Sequence, residues 1–326
     1  MALLVVVVIG GWELYLRHSG LTVDYDNGKE LWADKRARVY GPADKTVVFI
    51  GSSRIKYDLD IDTWRRLTGK DAVQLAIEGN SPVPVLKDLA NDPKFQGKVV
   101  VDVTEPLFFS LDPSSNAEPE ENIAYFKDET PAQKASFAID HVMESQFVFL
   151  DRYNFSLSAG LDRVSLHNRP GVFEMPVFPL EFGRCTFDRQ NKMTDRFLQD
   201  TSLQGRVQRI WVFLMGLKMA PPKTDPVPVV MATVKESVDK IRARGGDVVF
   251  VRTPSSGPMA QGEGQFFNRK RLWEPLLATT HCVGLHYLDD PATNHFICPE
   301  WSHLKPQDAV LYTHALVRLL PASFVK

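Results

Sequence analysis

The sequence predicts an α/β protein of three layers, a doubly wound parallel sheet between two sets of helices. Three observations predict it. Val47-Val48-Phe49-Ile50, Val99-Val100-Val101 and Val248-Val249-Phe250-Val251 are apolar runs without polar alternation, the pattern of strands buried on both faces. Helix-type sequence separates them, and the stripe Val230, Val234, Val238 and Ile241 directly precedes the third run. Helix and strand therefore alternate, which favours parallel strands joined by crossovers. With 326 residues, 44% apolar and 24% charged, the chain can bury a full core, and one large α/β domain with insertions fits better than two independent domains.

Taken in order, Ala2 to Gly11 is almost wholly aliphatic, and Glu13 is the first charge. This run is shorter than the roughly 20 residues of a complete span and lacks the basic start of a signal peptide. A buried strand competes with the outer part of a membrane anchor. Trp12, Tyr15 and Arg17 suit a membrane interface, so residues 1–17 are read as an anchor remnant. Residues 18–44 are polar and turn-rich and read as a connector. The domain then runs from 45 to 326, with Val47 to Ile50 as its first strand.

Asp60 to Leu67 carries capping residues ahead of a short amphipathic helix, and Ala72 to Ile77 is the second strand. Ser81 to Asn91 is the next helix, with Pro82 and Pro84 in its first turn, where missing donors cost least. Lys98 to Glu105 is the third strand, and Asp112 to Glu121 reads as a surface loop. From Thr130 to about Gly216 the spacing is helical in places and shows no strand alternation. Residues about 110–226 are accordingly read as a mostly helical insertion over the strand ends. Phe173, Phe178, Phe182 and Phe187 within it pack the insertion or line a groove. Val229 to Arg244 is a helix closed by Gly245-Gly246, Asp247 to Arg252 a buried strand, and Arg252 to Gly264 a candidate substrate loop. Phe267 to Thr279 is a helix and Leu285 to Leu288 the last strand, with His286 in a structural role.

The first strand ends abruptly in Gly51-Ser52-Ser53-Arg54, which delivers a hydroxyl to its C-terminal edge. Open α/β sheets bind ligands there. Far down the chain, Pro299-Glu300-Trp301-Ser302-His303-Leu304 offers a carboxylate and an imidazole three residues apart. Serine, imidazole and carboxylate are the parts of an acyl-transfer site. Ser53 would attack, His303 accept its proton, and Glu300 hold Nδ1 so that the tautomer suits a general base. Taken alone, each segment is equally a tight turn and a helix cap.

Together these residues resemble two sequence blocks of the SGNH, or GDSL-type, hydrolases: Gly-Asp-Ser near the N-terminus and Asp-x-x-His near the C-terminus. Ser52 and Glu300 stand where that family usually has Asp. The resemblance spans about residues 45–320 and implies a flavodoxin-like α/β/α sheet. It also implies that the backbone N–H groups of Ser53 and Gly79 form the oxyanion site, with the Asn80 side chain as a further donor. Arg54, Thr104 and Glu105 become possible substrate contacts. The block Gly-x-Asn-Asp, whose Asn is an oxyanion donor, is absent; Thr104-Glu105-Pro106 stands at that strand end. Gly-Ser-Ser variants occur in membrane-anchored relatives that act on envelope polymers. The resemblance therefore implies an esterase or O-acyltransferase acting on an acylated carbohydrate or other ester, anchored in the inner membrane with its domain in the periplasm. A non-catalytic scaffold tethered in an envelope complex is the alternative.

Other classes find no support. A net charge of -2 argues against nucleic-acid binding. No cofactor is indicated, since neither Gly-x-Gly-x-x-Gly nor a Walker loop follows a strand, and no His, Asp, Glu or Cys cluster has metal-ligand spacing. Cys185, Cys282 and Cys298 read as small buried hydrophobes, with a Cys282 to Cys298 bridge as the alternative.

Overall fold

The computed structural model describes residues 1–42, 44–162, 164, 176–217 and 224–326, so Phe173 lies outside the described residues. These divide into two compact units, residues 1–28, 130–187 and 191–217 in one, and residues 29–129, 188–190 and 218–326 in the other.

The larger unit is α/β. Its strands β1 (Thr46–Ile50), β2 (Asp71–Gln74), β3 (Lys98–Asp102), β4 (Asp247–Arg252) and β5 (Val283–His286) form a parallel sheet in the order β2-β1-β3-β4-β5. Val47 pairs with Ala72 on one side and with Lys98 on the other. Side chains along each strand alternate between two cores. Val48, Ile50, Val99, Val101, Val248 and Phe250 pack with helices Val83–Asn91, Pro226–Ala243 and Trp273–Thr280. Val47, Phe49, Val100, Val249 and Val251 pack with helices Ile61–Thr68 and Pro306–Leu319. Both faces of the sheet are thus covered, which is why its strands carry no polar alternation. Each such side chain contributes about 1.5–3 kcal/mol on burial.

In this order β1 lies between β2 and β3, so the chain leaves β1 in opposite directions. The crevice beyond the carboxyl ends of β1 and β3 is the topological switch point, where ligands of open α/β sheets bind. The hydrogen bonding of β2 continues past its end, with Leu75 N–H donating to Phe49 O (2.8 Å) and Ile77 N–H to Gly51 O (3.2 Å). Residues 78–80 are thereby brought beside the turn that follows β1. Gly51 itself is required by close approach, because a Cβ there would lie 2.7 Å from Asp102 Cβ and 2.8 Å from Ile55 Cγ2. Gly51→Ala is expected to lower stability by about 1–3 kcal/mol, measured by chemical denaturation; an unchanged midpoint would show that the turn can yield.

Three segments differ from expectation. Residues 29–37, read as connector, form a helix whose Trp32 is fully buried and donates its indole N–H to Leu75 O (3.1 Å). Asp112 to Glu121, read as a loop, is largely helix Ser114–Asp128. Its polar composition hides it, but Ile123 and Phe126 pack on the core and tertiary burial prevails over propensity. The second half of the stretch read as a substrate loop is helix Gly257–Phe266. Cys282 and Cys298 are buried and unbridged.

In the smaller unit, the expected anchor is overturned. Ala2–His18 is one helix, neither a strand nor a membrane span, and no helix among the described residues is long and apolar enough to cross a membrane. Its uncharged part, residues 2–12, extends about 16 Å at 1.5 Å per residue, against a hydrocarbon core of about 30 Å. Glu13 and Arg17 then interrupt it. They pair with each other (2.6 Å), and Glu13 accepts the N–H groups of Val148 (3.0 Å) and Phe149 (3.1 Å). Burial opposes ionisation of Glu13, but those N–H donors and Arg17 prevail and hold its carboxyl below the usual range. The inner-membrane and periplasmic location inferred from an anchor falls with it. Helices Pro131–Glu144 and Thr201–Gly216 and the two-residue bridge of Arg184–Cys185 with Asn191–Lys192 also belong to this unit.

Candidate active site

Ser53 is the first residue of helix Ser53–Asp58, immediately after the turn that closes β1. The first N–H groups of a helix have no intrahelical acceptor. Ser53 therefore presents a hydroxyl and a backbone donor at the switch point. Its Oγ lies 2.8 Å from His303 Nε2, and His303 Nδ1 lies 3.0 Å from Glu300 Oε1. His303 and Glu300 are buried, whereas Ser53 is partly exposed. Two residues 250 positions apart are joined because β1 and the segment before helix Pro306–Leu319 meet at one sheet edge.

The Glu300–His303 turn is built tightly. Glu300 Oε1 also accepts the backbone N–H of His303 (2.7 Å) and of Ser302 (3.3 Å), so one carboxylate oxygen organises both loop and imidazole. Trp301 sits at φ 80°, a left-handed conformation costly for a bulky residue. Its carbonyl accepts the Ser256 N–H (2.9 Å), which helps hold the reversal. The Tyr57 ring packs against the imidazole at 4.5 Å between centroids. Tyr57 lies one helical turn after Ser53, a spacing from which sequence could have nominated it. Asp58 Oδ1 accepts the Leu304 N–H (2.9 Å). Burial drives the Asp58 carboxyl well up against the opposing Leu304 N–H and Arg54, and the Asp102 and Glu300 charges add to the rise.

The other residues singled out by sequence divide into two groups. Gly79 is exposed, with φ 68° and nothing within 4 Å of a would-be Cβ, so backbone conformation rather than space calls for glycine. Asn80 stands in the same turn, but its Nδ2 donates to Glu78 O (2.8 Å) and Glu118 Oε2 (2.9 Å), which occupies both amide hydrogens. Glu78 is bound by Lys56 (2.5 Å); burial raises its carboxyl, but Lys56 and Arg189 outweigh that and hold it at about 2. Thr104 Oγ1 donates to Asp102 Oδ2 (3.1 Å) and is 2.8 Å from Ser52 Oγ, so it stitches the ends of β1 and β3 together.

Arg54 and Glu105 belong to a buried ion network. Arg54 Nη2 bonds Glu263, and its Nε donates to Ser302 Oγ (3.3 Å). Glu263 also accepts from Arg252 Nη2 (2.5 Å) and Ser255 Oγ (2.6 Å), and Arg252 Nε reaches both oxygens of Glu105 (2.8 and 2.9 Å). Two cations and two carboxylates thus balance beneath the site. Burial pushes the Glu263 carboxyl up, but Arg54 and Arg252 prevail and hold it at about 2. His286, expected to be structural, is buried at the end of β5; burial first, then the Arg252 and Arg269 cations, push its imidazole down to about 3. Among the described residues no group of three or more His, Cys, Asp or Glu could hold a metal ion.

Chemically, this arrangement offers an oxygen nucleophile, a base in contact with it, and a carboxylate that orients the base. In comparisons with known proteins, no family model and no curated protein matches the chain.

Proposed function

We propose that the chain is a serine ester hydrolase or O-acyltransferase of the SGNH type, with Ser53 as nucleophile, His303 as general base and Glu300 as its orienting carboxylate. The 2.8 Å contact between Ser53 Oγ and His303 Nε2, with Nδ1 held by Glu300, carries this reading. Ser53 Oγ attacks the ester carbonyl carbon as its proton passes to Nε2. The tetrahedral oxyanion is met by the N–H groups of Ser53 and Gly79. On collapse the C–O bond to the leaving alcohol breaks and His303 returns the proton to that oxygen. Water then releases the acid, or a second hydroxyl takes the acyl group. An acylated carbohydrate is the substrate class we propose.

A second reading, a binding scaffold that retains the fold, draws on one observation: the side-chain amide hydrogens of Asn80 and the hydroxyl of Thr104 are already engaged, leaving backbone donors for the oxyanion. Loss of one such donor costs about 10²–10³ in rate. The two readings separate with a fluorophosphonate probe. Wild type is expected to label and Ser53→Ala to remain unlabelled, whereas labelling that ignores Ser53, or none at all, favours the scaffold.

A further inference from the structure

The turn bearing Gly79 is held from helix Ser114–Asp128 by an arrangement that depends on a proline. Pro119 lies inside that helix and has no N–H, so the carbonyl four residues earlier, that of Ser115, loses its intrahelical donor. Ser115 O instead accepts the N–H of Ser81 at 2.9 Å. One residue before Ser81, Asn80 Nδ2 reaches Glu118 Oε2 at 2.9 Å and closes back on Glu78 O at 2.8 Å. Two consecutive residues of the turn are therefore tied to two residues of one helical turn. Gly79 sits directly beside them, in a left-handed conformation and exposed.

We propose that Asn80 and Glu118 are positioning residues for the Gly79 N–H, and that Pro119 serves to leave the Ser115 carbonyl open to receive the turn. The proposal rests on the acyl-transfer reading and specifies how its oxyanion donor is held. Asn80 acts through the backbone beside it and donates no hydrogen bond to substrate. Its effect falls on kcat, because the oxyanion forms only in the transition state.

The test compares Pro119→Ala, Glu118→Ala and Glu118→Gln in the full chain, with p-nitrophenyl acetate turnover and thermal melting as readouts. Pro119→Ala restores an N–H that competes with Ser81 for the Ser115 carbonyl. It is expected to hold or raise Tm while kcat falls roughly tenfold and KM stays unchanged, since slight misplacement of catalytic groups is costly in rate. Glu118→Ala is expected to give the same fall in kcat. Glu118→Gln keeps an acceptor oxygen and is expected to stay within about twofold of wild type, a rescue set by donor and acceptor geometry. Values of kcat within about twofold of wild type for both Pro119→Ala and Glu118→Ala would overturn the proposal, as would parallel losses of kcat and Tm in both. A wild-type chain without Ser53-dependent turnover overturns the acyl-transfer reading itself, and the proposal with it.

Discussion

Ser53→Ala and His303→Ala are each expected to lower kcat for ester hydrolysis by a factor on the order of 10⁴ to 10⁶, and the double variant by no more than the worse single one. In the proposed reaction the Ser53 proton passes to the imidazole across the 2.8 Å contact, so neither residue would perform its step without the other. Steady-state rates of the three variants decide the matter; multiplicative losses would show that the two residues do not work as a unit. Glu300→Ala adds a second signature. It leaves the N–H groups of Ser302 and His303, and Nδ1, without their common acceptor in a fully buried setting. Each buried group so orphaned costs about 1–3 kcal/mol. Glu300→Ala is therefore expected to lose both rate and Tm, whereas Ser53→Ala, partly exposed and small, is expected to lose rate alone.

Glu263→Ala is expected to destabilise the fold by about 3–5 kcal/mol, the range for removing one partner of a buried ion pair. The loss arises because Arg54 and Arg252 both remain buried with less negative charge around them. Chemical denaturation measures it, and a loss under about 1 kcal/mol would mean that water reaches the network. The same carboxylate makes stability depend on pH. Its folded value of about 2 lies below its ordinary value of 4.5. The stabilisation is therefore complete above about pH 5 and lost progressively as pH falls toward 2. In the Glu263→Ala chain that part of the acid sensitivity is expected to disappear.

Much of the sheet and all three residues of the proposed relay, Ser53, His303 and Glu300, were legible because they depend on local signals. Unbroken Val and Ile runs announce strands buried on both faces, and the stripe from Val230 to Ile241 announces the helix covering one of them. Gly51-Ser52-Ser53 ends a strand abruptly, and Glu300 and His303 stand at turn spacing ahead of a helix. What eluded pattern was of a different kind. Helix Ser114–Asp128 is polar with an internal proline, and its burial, with Ile123 and Phe126 against the core, is set by the tertiary structure. Glu263 lay in a stretch rich in Gly and Gln, where nothing distinguishes a buried carboxylate from a solvated one. At the N-terminus an aliphatic run pointed to a membrane, but a helix with Glu13 and Arg17 in its second half is too short an apolar cylinder to span one.

The amino-acid order by itself determined which segments are strands, which turns end them, and which hydroxyl, imidazole and carboxylate are candidates for chemistry, because each follows from periodicity and neighbouring residues. Only the tertiary structure decided that Ser53 and His303 touch, that Arg54 and Glu105 balance Glu263 and Arg252 underground, and that Asn80 is committed to Glu118. Those outcomes depend on contacts between residues tens to hundreds of positions apart. Such contacts are set by strand order and burial, which no local pattern encodes.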